Sequence, residues 1–374
     1  MKKILLVGGG TSGHFNPLMA IAEVLKERDN EAGETELLYM GPEPHDSAIL
    51  DTLGIRFVYC PSGKVRRYWS IRNFIDPFKI IAGIVIALVK LFLIYPDVVM
   101  SKGSYTSVPV TIAARLLRIP IVIHESDSVP GRATKLNIKA AKYIAISYSE
   151  SAQFFPQEKT ALVGIPVRKA LLESPTGNTA SELGLDTSLP TLFVYGGSLG
   201  AESINNLILE SLTELLPSYN IVHQTGREHF ETVKSSAMAL VSDTTLLSRY
   251  HPIAYVDAKT LNLIYHTAAI VISRAGSTTI FETALHGKPA IVIPIPETIS
   301  HDQRSNAYAY ARAGAAVVME EGNVRDSLLV AEITRIMSDQ SLYERMAKAA
   351  TDFAPRGAAE KMADILDRIT EEHT

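Results

Sequence analysis

The chain has a single cysteine, Cys60, among 374 residues, so neither an intrachain disulfide nor a cysteine-based zinc site can form. That usage fits a reducing compartment. Positive charge is not in excess: 36 Lys and Arg against 40 Asp and Glu leave a net charge of −4. A broad nucleic-acid surface needs a surplus of basic side chains, so no nucleic-acid partner is expected. No Asp-x-Asp triplet occurs anywhere; an obligatory protein-bound metal is therefore not indicated, and no cofactor is expected. Long apolar runs are also scarce. Within Phe78–Ile94, Lys79 and Lys90 bracket only Ile80–Val89, well short of the ~20 residues that span a bilayer. That segment reads as a buried or interfacial helix. The opening Met1-Lys2-Lys3 resembles a short signal peptide, but Gly8-Gly9-Gly10 cut its apolar run early. It reads as a first buried strand, and a cytoplasmic location is expected.

What is present is ample core material, 47% hydrophobic, in a chain long enough for roughly two domains. Apolar runs at Lys3–Val7, Glu36–Met40, Arg56–Tyr59, Asp97–Met100, Ile119–Ile123 and Tyr143–Ile146 alternate with helical patterns such as Pro17–Arg28 and Val108–Leu117. Continuously apolar strands between helices predict a parallel sheet covered on both faces. The pattern restarts at Thr191–Tyr195 and continues through Ile221–Gln224, Ile270–Ser273, Ala290–Ile293 and Ala315–Met319. The expected fold is α/β, with two doubly wound Rossmann-like domains facing across a cleft. Residues 1–165 would form the first, 166–350 the second, and the helix over 351–374 would pack back on the first. Ligands of open parallel sheets bind beyond the carboxyl ends of the strands.

The polar motifs follow strands. Thr11-Ser12-Gly13-His14, after the first strand and its glycines, opens a helix whose free N–H groups and dipole favour an anion. An imidazole there is placed to take a proton near neutral pH. Gly196-Gly197-Ser198-Leu199-Gly200 is the matching turn of the second half, a cradle of backbone N–H groups and a hydroxyl. Ser273-Arg274-Ala275-Gly276-Ser277-Thr278-Thr279 follows another strand. Glu282 lies about one turn into the helix it opens, where a carboxylate can accept from both ribose hydroxyls. A simple N-capped helix would look much the same. Pro294–Asn306 reads as a polar loop carrying His301, Asp302, Gln303 and Asn306.

Together, Gly9–His14, His124-Glu125-Ser126-Asp127 with Pro130-Gly131, Gly164–Arg168, Gly196–Ser198, Arg274-Ala275-Gly276 and Gln303…Asn306-Ala307 resemble one family. It is the UDP-N-acetylglucosamine:lipid I N-acetylglucosaminyltransferases of peptidoglycan synthesis (the MurG family), which have the GT-B fold. The resemblance covers essentially the whole chain and implies an inverting transfer of GlcNAc to the muramyl 4-hydroxyl of lipid I, forming lipid II. It implies that Arg168 and Ser198 contact the donor diphosphate, Val256 lies along the uracil and Ser277, Thr278 and Thr279 hold phosphate. Glu282 would take the ribose and Gln303 the GlcNAc hydroxyls. Thr11, Ser12 and Gly13 would line the acceptor side, with His14 as general base and Glu125 and Asp127 as catalytic candidates near the transferred sugar. Many relatives carry Gly where this chain has Ser12, Asn where it has Asp127, and Asn where it has Ile165. The implied partners are UDP-GlcNAc, lipid I, an anionic membrane surface at the cytoplasmic face and other proteins of cell-wall synthesis. Lys64–Arg72, with Arg66, Arg67, Tyr68 and Trp69, has the basic and aromatic character that suits such a surface.

A dinucleotide oxidoreductase is disfavoured by the missing Gly-x-Gly-x-x-Gly and the missing ribose acid after strand two. A UDP-GlcNAc epimerase shares the expected architecture but would need no lipid acceptor.

Overall fold

The computed structural model describes residues 2–9, 11–32, 35–63, 72–197, 200–296 and 301–373. Contacts divide these residues into two units, Met1–Arg168 with Arg356–Thr374, and Lys169–Pro355.

The first unit runs β1 (Lys2–Val7), α1 (Ser12–Ala32), β2 (Thr35–Gly41), α2 (Ser47–Thr52), β3 (Arg56–Tyr59), α3 (Arg72–Ile94), β4 (Val98–Ser101), α4 (Val108–Leu116), β5 (Ile121–Glu125), α5 (Arg132–Asn137), β6 (Tyr143–Ile146) and β7 (Thr160–Leu162). Among the described residues the strands form one parallel sheet of order β3-β2-β1-β4-β5-β6-β7. The central strands β4 and β5 are buried at every position, as strands covered on both faces must be. One face carries Phe15, Leu18 and Leu25 of α1; the other carries Ala87 and Leu91 of α3 with Val110 and Ala113 of α4. The order reverses between β1 and β4, so the loops leaving those two strands part there and open a crevice.

The helix α3 is longer than the ten-residue run between Lys79 and Lys90 suggests. Lys90 does not interrupt it, because its ammonium turns back to donate to the Tyr59 carbonyl at 2.6 Å. By length and composition alone Asp76–Ile94 could cross a membrane. Its Gly83, Ala87 and Leu91, spaced four apart, are however buried in the unit, which ties that stripe to α4 and the sheet. The opposite stripe, Phe78, Ile81, Val85, Val89 and Phe92, is exposed. The basic segment at 64–71 lies outside the described residues, as do the side chains of 72–75.

The second unit runs α6 (Thr179–Glu182), β8 (Thr191–Tyr195), α7 (Glu202–Leu215), β9 (Asn220–Gln224), α8 (Phe230–Leu240), α9 (Thr244–Leu247), β10 (Tyr250–Ile253), α10 (Ala258–Thr267), β11 (Ala268–Ser273), α11 (Ser277–Leu285), β12 (Ala290–Val292), α12 (His301–Arg312), β13 (Ala316–Val318), α13 (Asp326–Ser338) and α14 (Gln340–Phe353). Its parallel sheet has the order β10-β9-β8-β11-β12-β13 among the described residues, with the reversal between β8 and β11. The stretch from His301 is a helix, not the loop its polar composition suggests. The chain then returns: α15 (Ala358–His373) buries Met362, Ala363, Leu366 and Ile369 with α1 and β1 in the first unit's core. Arg28 reaches Asp364 at 2.7 Å and Asp367 at 2.9 Å, and Lys2 reaches Asp367 at 3.2 Å. Such half-exposed pairs contribute little; the apolar stripe holds the helix.

Candidate functional site

In the first unit three neighbouring strands, β1, β4 and β5, deliver polar groups from their carboxyl ends. After β1 the chain turns into α1, and Thr11 O accepts from the backbone N–H of His14 at 3.1 Å and of Phe15 at 3.2 Å. The turn lies against β4's loop so closely that a Cβ on Gly8 would stand 2.8 Å from the Lys102 Cβ. Only glycine fits there. Close approach brings the part-buried His14 Nδ1 to 3.2 Å from the Lys102 carbonyl. A carbonyl can only accept, so Nδ1 carries the proton and Nε2 keeps its lone pair.

Lys102 follows β4 and is only 2% exposed. Its ammonium donates to Ser126 Oγ and faces the carboxylates of Glu125 and Asp127. Glu125 ends β5 and is buried, where Oε1 accepts from the Asp127 N–H and Oε2 from the Gly131 N–H, each at 3.1 Å. The loop that carries Lys102 is strained: Ser104 sits at φ 74°, ψ 157°, a region almost reserved for glycine. Ser104 Oγ donates to Gly9 O at 2.9 Å, and Ser107 Oγ donates to Ser104 O at 2.8 Å. These bonds hold it in place.

The charges shift one another. Burial, then the Lys102 cation, pulls the His14 imidazole down to about 4, against the pull of Asp127 and the Lys102 carbonyl. Burial brings Lys102 down to about 8 despite its two carboxylates. Burial and then Asp127 push Glu125 up to about 7, with Thr134, the Asp127 N–H and Lys102 opposing. His124 Nε2 donates to Gly164 O at 2.7 Å, and burial, then the Lys102 cation, pull its imidazole well below the ordinary value. Ser12 Oγ meets His45 Nε2 at 3.1 Å. Gly13 lies in the first turn of α1. Arg168, where the chain leaves the first unit for the second, donates to Glu23 Oε1 of α1 at 2.7 Å.

The second unit presents hydroxyls and backbone instead. After β8 the glycine turn closes with Gly200 N–H donating to Gly197 O at 2.9 Å. Gly200 has φ 80°, and a Cβ there would lie 2.0 Å from Thr225 O, so no other residue suits it. Ser198 lies outside the described residues. After β11, Arg274 is fastened by Ile293 O at 3.1 Å, Ser203 Oγ at 2.7 Å and the Glu321 carboxylate. Arg274 thereby positions the turn rather than pointing at solvent. The helix α11 starts at Ser277, whose Oγ accepts from Asn306 Nδ2 at 2.8 Å. Ser277, Thr278 and Thr279 form its first turn, where N–H groups have no intrahelical partner. Glu282, one turn further, is buried, and its Oε2 accepts from Tyr265 OH at 3.2 Å. Burial pushes Glu282 up to about 7, with Tyr265 opposing. Gln303 Oε1 accepts from Ile295 N–H at 3.4 Å, and Val256 is buried just before α10.

His14, Glu125 and Asp127 thus come together in the first unit, and Ser277, Thr278, Thr279 and Glu282 share one helix in the second. Sequence reasoning missed Lys102, Tyr265 and the strained Ser104, and gave Ser126 no role beyond its place in the His124–Asp127 motif. The available signal was positional: Lys102-Gly103-Ser104 directly follows a strand, as the chosen motifs do.

Residues 4–146 match the model of the glycosyltransferase family 28 N-terminal domain, and residues 191–369 that of its C-terminal domain. Curated relatives are named UDP-N-acetylglucosamine–N-acetylmuramyl-(pentapeptide) pyrophosphoryl-undecaprenol N-acetylglucosamine transferase. The one from Clostridium kluyveri is 34% identical over 98% of this chain and 99% of its own. The one from Treponema denticola is 33% identical over 98% and 97%. Among solved structures, Acinetobacter baumannii MurG has a TM-score of 0.74 at 24% identity, covering 98% of this chain and 100% of that one. UDP-GlcNAc 2-epimerase from Neisseria meningitidis, bound to UDP-GlcNAc, has 0.67 at 15%, covering 98% and 100%. At these identities the structures show the shared fold.

Proposed function

The chain belongs to glycosyltransferase family 28, and we propose from that premise that it moves GlcNAc from UDP-GlcNAc to lipid I, forming lipid II. The observation that carries this reading is the near full-length kinship to transferases whose names state that donor and acceptor. The chemistry placed at each unit's switch point agrees with it.

In the proposed reaction His14 Nε2 takes the proton from the muramyl 4-hydroxyl as that oxygen attacks the anomeric carbon. The bond to UDP breaks on the opposite side, so the centre inverts. Asp127 offers the negative charge that favours the imidazolium. Departing UDP gathers charge on its diphosphate, which the positive end of the α11 dipole, the hydroxyls of Ser277, Thr278 and Thr279, the glycine turn with Ser198, and Arg168 would stabilise. Glu282 would accept from the ribose, Gln303 would bind the sugar hydroxyls, and Val256 would lie along the uracil. Thr11, Ser12 and Gly13 would line the acceptor side, and Glu125 would brace the Asp127 turn.

Lipid I carries a polyprenyl chain that stays in the bilayer, so the enzyme would work peripherally at the cytoplasmic face of the membrane. The exposed stripe Phe78, Ile81, Val85, Val89 and Phe92 of α3 supports this, since apolar patches of that kind mark interaction sites. The basic and aromatic 64–72 segment would add attraction to anionic lipid. Flotation with anionic vesicles should show salt-sensitive binding that Arg66→Glu with Arg67→Glu removes. Other proteins of cell-wall synthesis are expected as neighbours there.

The test is turnover of labelled UDP-GlcNAc with a lipid I analogue, with arms that omit the acceptor or substitute UDP-glucose. Transfer that needs both partners supports the reading. Donor consumption without acceptor would replace it with an epimerase or hydrolase.

A further inference from the structure

Among the described residues Lys102 is the one buried ammonium in the first unit's cluster, and the proposed reaction does not use it. Its backbone is fixed, N–H to Val7 O at 2.9 Å and carbonyl to His14 Nδ1 at 3.2 Å. Its side chain runs inward to Ser126 Oγ, between the residues that carry the two carboxylates. A lysine this enclosed has surrendered its hydration, and in a protein interior that is tolerated only against compensating charge.

We propose that Lys102 is a positioning residue for His14: its ammonium, clamped to Ser126 and facing Glu125 and Asp127, keeps the imidazole neutral before reaction. The inference rests on His14 being the base. Each neighbouring element contributes identifiable groups. The β4 loop contributes Lys102. The β5 end contributes Glu125, Asp127 and the neutral His124. The loop before α2 contributes His45, bonded to Ser12, and Glu43, which acts on Tyr39. Of these, the cation opposes a proton on His14 and Asp127 favours one. Without Lys102 both influences run the same way: the opposing charge is gone and Asp127 is released to the imidazole.

The test is to follow His14 by NMR of histidine-labelled protein, its signal assigned by loss in His14→Gln. Wild type, Lys102→Met, Asp127→Asn and the double variant are titrated, and the pH profile of transfer is measured on each. In Lys102→Met the His14 midpoint should rise by roughly one pH unit or more, the usual effect of a close charge. The acid limb of turnover should move up with it. Adding Asp127→Asn should bring the midpoint back down. Should Lys102→Met fail to fold around two unpaired carboxylates, the double variant compared with Asp127→Asn alone isolates the same charge, and its midpoint should be the higher. An unmoved midpoint in folded protein overturns the proposal. If the midpoint moves but no protein in the series transfers GlcNAc, the charge arrangement stands and the transferase reading falls.

Discussion

The two sheets place their polar groups by the same rule and fill the places differently. At the first switch point the loops bring His14, Lys102, Glu125 and Asp127 together, charges that shift one another. At the second, α11 offers the hydroxyls and backbone of its first turn near a buried acid, Glu282, braced by neutral Tyr265. The difference teaches what each unit can do. A cluster of interacting titratable groups can move a proton at a chosen atom. Fixed dipoles and a lone acceptor bind a charged, hydroxyl-rich ligand without exchanging protons with it. On the proposed function, one architecture would therefore serve chemistry in one copy and donor recognition in the other.

The sharpest way to break that comparison is at its chemical end. His14→Ala should lower turnover by ~10²–10⁴-fold, the usual contribution of a general base, with little change in KM for UDP-GlcNAc. Equal losses in both would remove the division of labour. Glu282→Gln should act in reverse. Losing a charged acceptor of hydrogen bonds should raise KM for the donor on the order of 10-fold or more, with kcat changed much less. Steady-state kinetics on both variants separates the two units.

The pH responses should divide in the same way. Glu282 is held up to about 7 by burial, and its ionised form is the better acceptor for ribose hydroxyls. KM for UDP-GlcNAc should therefore fall as pH rises through about 7, and Glu282→Gln should flatten that dependence. His14 is held down to about 4, so its loss of turnover should appear only on acidification toward that value. A kcat that drops near pH 6.5 in wild type would contradict the burial and Lys102 argument.

The smallest effect concerns strain. Ser104→Gly relieves a backbone conformation that costs roughly 1–3 kcal/mol and loses the bond to Gly9 O. A net gain of about 1 kcal/mol in stability is expected by denaturant unfolding, with the first unit's transition moving and the second's unchanged. A destabilised variant would show that the bond outweighs the strain.

Much of this was legible in the chain before its structure. Central strands such as Tyr143–Ile146 and Thr191–Tyr195 announce themselves because burial on both faces demands continuous apolar runs. Two of the four described edge strands do not: β7 has only Thr160, Ala161 and Leu162, all partly open to solvent, and β10 has three half-buried positions, Pro252 among them. Neither leaves a clear pattern. The helix α12 hid behind a polar start, His301–Asn306, which shows no apolar period. The glycine turns marked the two switch points, because close backbone approach admits nothing else at Gly8 and Gly200. Lys102 stayed invisible for the opposite reason. A lone lysine among serines reads as a solvated turn, and only the neighbouring β1 and β5 ends reveal it as buried. Local sequence carries local geometry well, whereas a charge cluster assembled from three strands exists only after the sheet has ordered them.

The central claim is that the first unit removes the acceptor's proton through His14 while the second holds the donor. The most direct measurement is transfer of labelled GlcNAc from UDP-GlcNAc to a lipid I analogue by wild type and His14→Ala, with donor binding measured on the same samples. The account predicts lipid II from wild type, turnover lowered at least ~100-fold in His14→Ala and unchanged affinity for UDP-GlcNAc. Wild-type-like turnover in His14→Ala, or donor consumption by wild type without lipid I, would contradict it.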